Sequence, residues 1–435
     1  MTVEMKDSEI QWLGYIPKEW KLIRLKSAFK NRCAGSWGEE KSNNNGDMIC
    51  LRIADFDYNK LTFIDSNHYT FRNYDRKTIQ KLLLKKGDLL IEKSGGGEKT
   101  PVGRAVIFDK DFPALYANFM DRLRCSEIAL PKWILYILNV FYANGFVWNY
   151  IKQTTGIQNL DLTSMLSRER IPLPKKKQQE RISNYLDSKC SKIDSIIDKQ
   201  QAVIEKLKQY KTSLITEVVT KGLNPNVEMK NSGIDFCKKI PIHWNSLQIR
   251  YLFKLRDEKN YLPLEKVKLL SLYTDIGVFP HGEQDEKGNK AVTAEGYKIV
   301  KENDIVVNII LAWMGAIGMS SYNGVTSPAY DIYIPQKGVC SKYYHYLFRT
   351  KLFSGECYKY GRGIMEMRWR TYSSEFKAIK VPVPPLTEQN KIVEKLEQKC
   401  SSVDLSIEKK QAIIDKLQEY KKSLIYEVVT GKKAV

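Results

Sequence analysis

No stretch of this chain stays apolar long enough to cross a membrane. The longest runs, 133–148 and 305–319, are each interrupted by asparagine and fall short of the ~18–20 residues that a span requires. The eight cysteines (33, 50, 125, 190, 237, 340, 357 and 400) never come within ten residues of one another. That spacing excludes a CxxC metal or redox pair and, at this length, argues against a disulfide scaffold. The four histidines (68, 243, 281 and 345) form no HExxH or paired pattern, so neither a metal centre nor a catalytic triad is suggested. The opening twenty residues mix charges with aromatics and lack the apolar core of a secretory signal. A cytoplasmic chain with reduced thiols is the expectation.

Positive charge, by contrast, is abundant. The 435 residues carry 70 Lys plus Arg against 50 Asp plus Glu, a formal net charge of +20. A surplus of that size points to a polyanionic partner, most often nucleic acid. Hydrophobic residues at 43% supply material for sizeable cores, and the length suggests more than one domain.

The chain is written twice. Residues 171–220 match 381–430 at a constant offset of 210 with 25 identities in 50 positions, among them Pro172/Pro382, Gln179/Gln389 and Cys190/Cys400. A second match at offset 224 opens each half: Met5-Lys6, Ser8, Ile10, Ile16-Pro17 and Trp20 correspond to Met229-Lys230, Ser232, Ile234, Ile240-Pro241 and Trp244. Between these matched ends the interiors diverge, the first being 14 residues longer. A weak echo pairs Gly87-Asp88-Leu89-Leu90 with Asn303-Asp304-Ile305-Val306.

The duplicated tails read as long helices. Ile193, Ile197, Ile204, Leu207 and Leu214, with Val403, Ile407, Ile414, Leu417 and Leu424, follow the 4-and-3 alternation of a coiled-coil seam. Gln200 and Lys211 interrupt it in the first tail, and Lys410 and Lys421 at the equivalent positions of the second. Helices of that length would span about 65 Å, and each needs a partner for its apolar stripe; the other tail is the nearest one available. Thr387 suits the N-cap of the second, with Glu388 in its first turn. The interiors read as mixed α/β, with strands expected near 48–53, 88–91, 102–108, 268–273, 304–310 and 331–334. A single helix is expected late in each, over 133–150 and 343–353.

Catalytic motifs are missing. Gly95-Gly96-Gly97-Glu98-Lys99-Thr100 places Glu98 where a phosphate loop needs its second glycine, so a hairpin loop is the better reading. What remains is recognition, by loops that mix cations, amides and aromatics. The candidates are Lys93, Ser94, Lys99, Arg104, Gln158 and Asn159 in the first half, and Trp313, Arg362, Arg368 and Arg370 in the second. Arg pairs with guanine and Asn or Gln with adenine in the major groove, while Lys mainly holds phosphates. On residues alone, a coiled-coil scaffold with protein-binding heads and an enzyme such as a nuclease stay open.

The duplicated order of motifs resembles the specificity (S) subunits of Type I restriction–modification systems. The resemblance is carried by 5–20 and 229–244, and by 171–174 and 381–389, and it covers essentially the whole chain. The Pro-Leu-x-Glu-Gln pattern is intact at 385–389 but reads Lys175-Lys176-Lys177-Gln178-Gln179 in the first copy. The resemblance implies an α+β chain of two globular α/β target recognition domains, at 1–170 and 223–380. Two long antiparallel coiled-coil helices, at 171–222 and 381–435, would join them in a pseudo-two-fold repeat. It further implies that each domain reads one half of a bipartite duplex target and that the helices set the gap. The implied partners are two methyltransferase (M) subunits, which hold S-adenosylmethionine, and restriction (R) subunits, which use ATP and Mg²⁺. The chain itself would be non-catalytic, metal-free and prokaryotic.

Overall fold

The computed structural model describes residues 4–97, 100–154, 156–274, 276–282, 293–363 and 369–435. The chain divides into two compact units, Met1–Gln201 with Gln411–Val435, and Ala202–Lys410.

Each unit is built on an antiparallel four-stranded sheet with the same strand order. In the first unit the order is Ala105–Ile107, Leu89–Glu92, Met120–Cys125, Phe29–Ala34. In the second it is Ile317–Met319, Ile305–Asn308, Tyr330–Pro335, Phe253–Leu255. Leu89–Glu92 and Ile305–Asn308 are buried along their whole length, because both sheet faces are covered. Alternation then sorts the side chains. Leu89 and Ile91 join the cluster with Trp133, Ile134 and Ile137, while Leu90 faces Val106 and Met120 in a separate one. In the second unit Ile305 and Val307 join Tyr343, Tyr344 and Phe348, and Val306 packs with Ile332.

The Gly-Asp and Asn-Asp echo is a turn feeding this strand. Gly87 and Asn303 both take positive φ, +90° and +69°. The next residue, Asp88 or Asp304, accepts the amide of Lys85 or Lys301 at 2.8 and 2.7 Å. Each buried carboxylate then receives a two-pronged guanidinium, Arg124 on Asp88 and Arg256 on Asp304. The expected strands therefore start one residue late, after the aspartate.

Neither interior helix runs as expected. The first is Pro131–Ala143; Gly145 at φ +75° ends it, and a separate 3-10 turn covers Phe146–Tyr150. The second is split into Ser341–Phe348 and Lys351–Tyr360, because the Thr350 hydroxyl accepts the Phe353 amide at 3.3 Å and starts a new helix.

The tails form helices Lys176–Lys221 and Leu386–Val429. Thr387 is not the cap: the helix already includes Leu386, and the amides of Glu388 and Gln389 donate to the Pro385 carbonyl at 2.8 and 3.0 Å. Within each unit the two helices share one core. Ile193 and Ile197 cluster with Leu417 and Leu424 in the first unit. Leu214 clusters with Ile392 and Leu396 in the second. Ile204, Val403 and Ile414 are buried, and Leu207 and Ile407 half-buried. Two of the residues that break the seam form ion pairs, Lys421 with Asp194 at 2.7 Å and Lys211 with Asp404 at 2.6 Å. Positions rise on one helix as they fall on the other, so the two run antiparallel. Polar contacts of this kind fix register more than they add stability.

Two further contacts tie each helix start to its sheet domain. Gln179 is fully buried; its amide donates to the carbonyls of Pro174 and Ile128 and accepts from Leu130 N at 2.8 Å. Gln389 repeats this with Pro384, Gly338 and Cys340 N. Lys132 pairs with Asp187 as Lys342 pairs with Glu397. The departure at 175–179 leaves this clamp intact. It changes the neighbouring contact: Gln178 donates to Glu19 in the first copy, whereas Glu388 bonds His243 and Trp244 in the second.

Candidate nucleic-acid interface

In each unit three segments converge where the fully buried strand ends, held by the same main-chain hydrogen bonds. In the first, Lys93 N donates to the Phe119 carbonyl at 2.9 Å and Leu160 N to the Lys93 carbonyl at 2.8 Å. In the second, Ile309 N donates to Ala329 O at 3.4 Å and Thr371 N to Ile309 O at 2.8 Å. Strand end, turn and hairpin therefore form a common edge, and the side chains mounted on it differ between units.

On the first edge, Ser94–Gly95 pairs with Ile157–Leu160, which pairs in turn with Ile151–Thr154. The register sets Ser94 opposite Asn159, and the Ser94 hydroxyl donates to Asn159 Oδ1 at 2.6 Å. Asn159 is exposed. Gln158, on the opposite face, is fully buried and accepts the Val102 amide at 3.3 Å. Lys93 leans on Asp121 at 2.9 Å, and the same carboxylate takes Arg32 Nε at 2.6 Å. Arg104 is bound to buried Glu92 at 2.8 and 3.0 Å, and its guanidinium lies 3.7 Å from the centre of the Tyr58 ring. Tyr58 donates its hydroxyl proton to the same carboxylate. Burial, with the Glu92 hydrogen bond and charge next, pushes the Tyr58 phenol well above its ordinary value, so it stays neutral. Lys99 lies outside the described residues.

On the second edge, Arg362 and Arg370 face each other across an antiparallel bridge, N to O at 2.9 and 3.0 Å. Arg362 is largely exposed and reaches Glu375 at 3.1 Å. Arg370 is half-buried. Trp313 sits on a 3-10 turn, Ala312–Met314, where its indole donates to the Ile310 carbonyl at 3.0 Å. Its ring packs against Tyr358, which stacks on Trp369 with centroids 4.9 Å apart. Arg368 lies outside the described residues.

Sequence reasoning passed over the turn segments. Asn118 and exposed Phe119 stand on the first edge, and Pro328 and Ala329 at the matching positions of the second. An exposed asparagine–aromatic pair just before a buried strand was the one local signal. Among the described residues no group of His, Cys, Asp and Glu could hold a metal ion. Among them, too, no helix is long and apolar enough to cross a membrane.

A family model described as Type I restriction modification DNA specificity domain matches the chain twice, over residues 17–209 and 219–416. A putative type I restriction enzyme MjaX specificity subunit from Methanocaldococcus jannaschii is 22% identical over 435 residues, covering 97% of this chain and 95% of its own. The type I restriction enzyme MjaVIII specificity subunit of the same organism is 22% identical over 316 residues, 68% of this chain and 70% of that one. Among solved structures, the HsdS subunit from Thermoanaerobacter tengcongensis matches with a TM-score of 0.54 at 12% identity, covering 98% of this chain and all of that one. A chain from a structure on complex assembly and conformational transition of the type I R-M system matches with a TM-score of 0.68 at 12% identity, covering 96% and 99%. Identities this low speak for the fold alone. The two family matches together span most of the chain, and the protein therefore belongs to the Type I restriction modification DNA specificity domain family, carrying two such domains in tandem.

Proposed function

We propose that the two edges read the two halves of a bipartite duplex DNA target. The long helices set the unread gap and dock two methyltransferase subunits around a pseudo-two-fold axis. The observation that carries this reading is the shared frame with different side chains: one set of main-chain bonds presents Ser94 and Asn159 in one unit and Arg362 and Arg370 in the other. Amides and guanidinium groups at such an edge suit adenine and guanine respectively. The +20 charge supplies attraction to the phosphates, which brings the chain to DNA without choosing a sequence.

In this reading the chain performs no chemistry. S-adenosylmethionine belongs to the methyltransferase subunits, and ATP and Mg²⁺ to restriction subunits, in a cytoplasmic prokaryotic complex. The test is a gel-shift series with the methyltransferase subunits present. A single bipartite sequence should bind far more tightly than scrambled duplexes, with affinity falling steeply as salt rises. Equal affinity for all duplexes would sink the reading in favour of a scaffold. Mg²⁺-dependent cleavage by the chain alone would sink it in favour of an enzyme.

A further inference from the structure

Beside the first edge lies a surface that the second unit does not reproduce. The turn 117–120 is closed by Met120 N on the Ala117 carbonyl at 3.2 Å, as its counterpart is closed by Tyr330 N on Ser327 O at 3.1 Å. The backbone is thus alike, but the two central residues are Asn118 and Phe119 in one unit and Pro328 and Ala329 in the other. Phe119 is 52% exposed. Asn118 is exposed too, and its amide bonds nothing among the described residues.

A second loop is pinned against this turn. Gly35 N donates to Met120 O at 3.1 Å and Ser36 N to Tyr116 O at 3.0 Å. A Cβ on Gly35 would stand 2.2 Å from the Ala117 carbonyl oxygen, so only glycine allows this approach. The loop thereby sets Trp37 beside the turn, with the Arg72 guanidinium 4.8 Å above its ring and fixed by the carbonyls of Trp37 and Gly38, each at 3.2 Å. Between Trp37, Arg52, Ile53, Ala117, Asn118 and Phe119 opens a hollow of about 480 Å³.

We propose that the Asn118–Phe119 turn reads one A·T pair in the major groove of the half-site assigned to the first unit, an inference that rests on the function proposed above. The free Asn118 amide offers a donor and an acceptor side by side, the complement of adenine N7 and its 6-amino group. The exposed Phe119 ring offers an apolar contact to the thymine methyl group. Arg72, held over Trp37, and Arg52, paired with Asp55 at 3.4 Å, add positive charge beside the turn. The turn is continuous with the edge already described, since Phe119 O is the acceptor for Lys93 N. A protein partner would meet a poor surface here, because one ring beside a free amide and two guanidinium groups makes no apolar stripe.

The test uses the full chain with its methyltransferase subunits in cells, and maps methylated sites across the genome for wild type, Asn118→Ala and Phe119→Ala. In Asn118→Ala one A·T position of one half-site should become degenerate, its discrimination falling roughly 10- to 100-fold, with the other half-site unchanged. Phe119→Ala should relax the same position by less. Both side chains are exposed, so neither variant should change the thermal midpoint. Unchanged letters in both variants overturn this assignment alone, and so does uniform loss of methylation with the letters kept. Loss of discrimination at a G·C pair, or in both halves, overturns it as well. A wild-type complex that modifies no bipartite motif overturns the underlying function, and this assignment with it.

Discussion

The first and second units share a sheet order, a buried Asp–Arg turn, a glutamine clamp and an Asp–Lys pair between helices, yet they differ at the turn beside the edge and at one position of the helix packed on the sheet. Asn118–Phe119 stands against Pro328–Ala329, and Leu135 against His345. The first unit also adds a contact of its own, in which Lys421 bonds the Asn59 carbonyl at 2.9 Å while holding Asp194. Among the described residues Lys211 has only Asp404. Contacts that position main chain are thus duplicated, and contacts that decorate it are not. A module whose task is to present different letters in one geometry needs that division.

The largest difference between the units is expected at the buried carboxylates. Asp304→Asn should cost about 3 kcal/mol in the second unit, because buried Arg256 then keeps only the half-exposed Glu258 as a charged partner, at 2.5 Å. Asp88→Asn should cost less, about 2 kcal/mol, since Arg124 is partly exposed and water can replace its partner. Unit-resolved hydrogen exchange at 89–92 and 305–308 reads both, and equal losses would remove the burial argument.

The glutamine clamp should respond equally. Gln179→Ala and Gln389→Ala each strand three main-chain groups, at a cost of about 3 kcal/mol. Exchange at 128–130 and 338–340 should quicken to the same extent; protection lost in one unit alone would show that the frame is not truly duplicated.

Acid should separate the units. Burial, and then the charges of Arg349 and Lys342, push His345 down to about 3, and its Nδ1 accepts the Met319 amide at 3.1 Å. An unfolded histidine titrates near 6.5, so the unfolded second unit binds the extra proton first. The contribution of neutral His345 is therefore complete above pH ~6.5 and is lost below it by about 1.4 kcal/mol per pH unit, towards 3. Leu135 makes the first unit indifferent through this position. His345→Leu should flatten the acid limb of the second unit alone. The smallest effect is expected at the helix pair: Lys421→Met should destabilise by about 1 kcal/mol and Lys211→Met by less, since the latter pair is more exposed. Thermal melts of the two variants decide the order.

The duplication, the long helices and four of the eight sheet strands were legible because identity and period are local properties of the sequence; Phe29–Ala34, Met120–Cys125, Phe253–Leu255 and Ile317–Met319 carry no comparable signal of their own. The role of Gln179 and Gln389 was not. Their repetition was visible, but their partners are main-chain groups of loops about fifty positions away. Lys93 and Arg104 read as free cations, whereas the fold pairs them with Asp121 and Glu92. Asn118 escaped notice because nothing near it in sequence tells that Gly35 and Lys93 close around its turn. The helix breaks at Gly145 and Thr350 were signalled by residue type, and were overridden by the apolar period running through them.

On the proposed function, each unit's interior chooses letters on a common frame. Replacing residues 25–169 with a copy of 249–379 joins the interiors at strands that match, since Lys21–Arg24 pairs with Arg170–Leu173 as Asn245–Gln248 pairs with Lys380–Val383. Methylated sites would then be mapped for this chain with its methyltransferase subunits. The expected target has two halves with the same letters, those of the wild-type half-site read by the second unit. A target that keeps two different halves would mean that the interiors do not choose the letters.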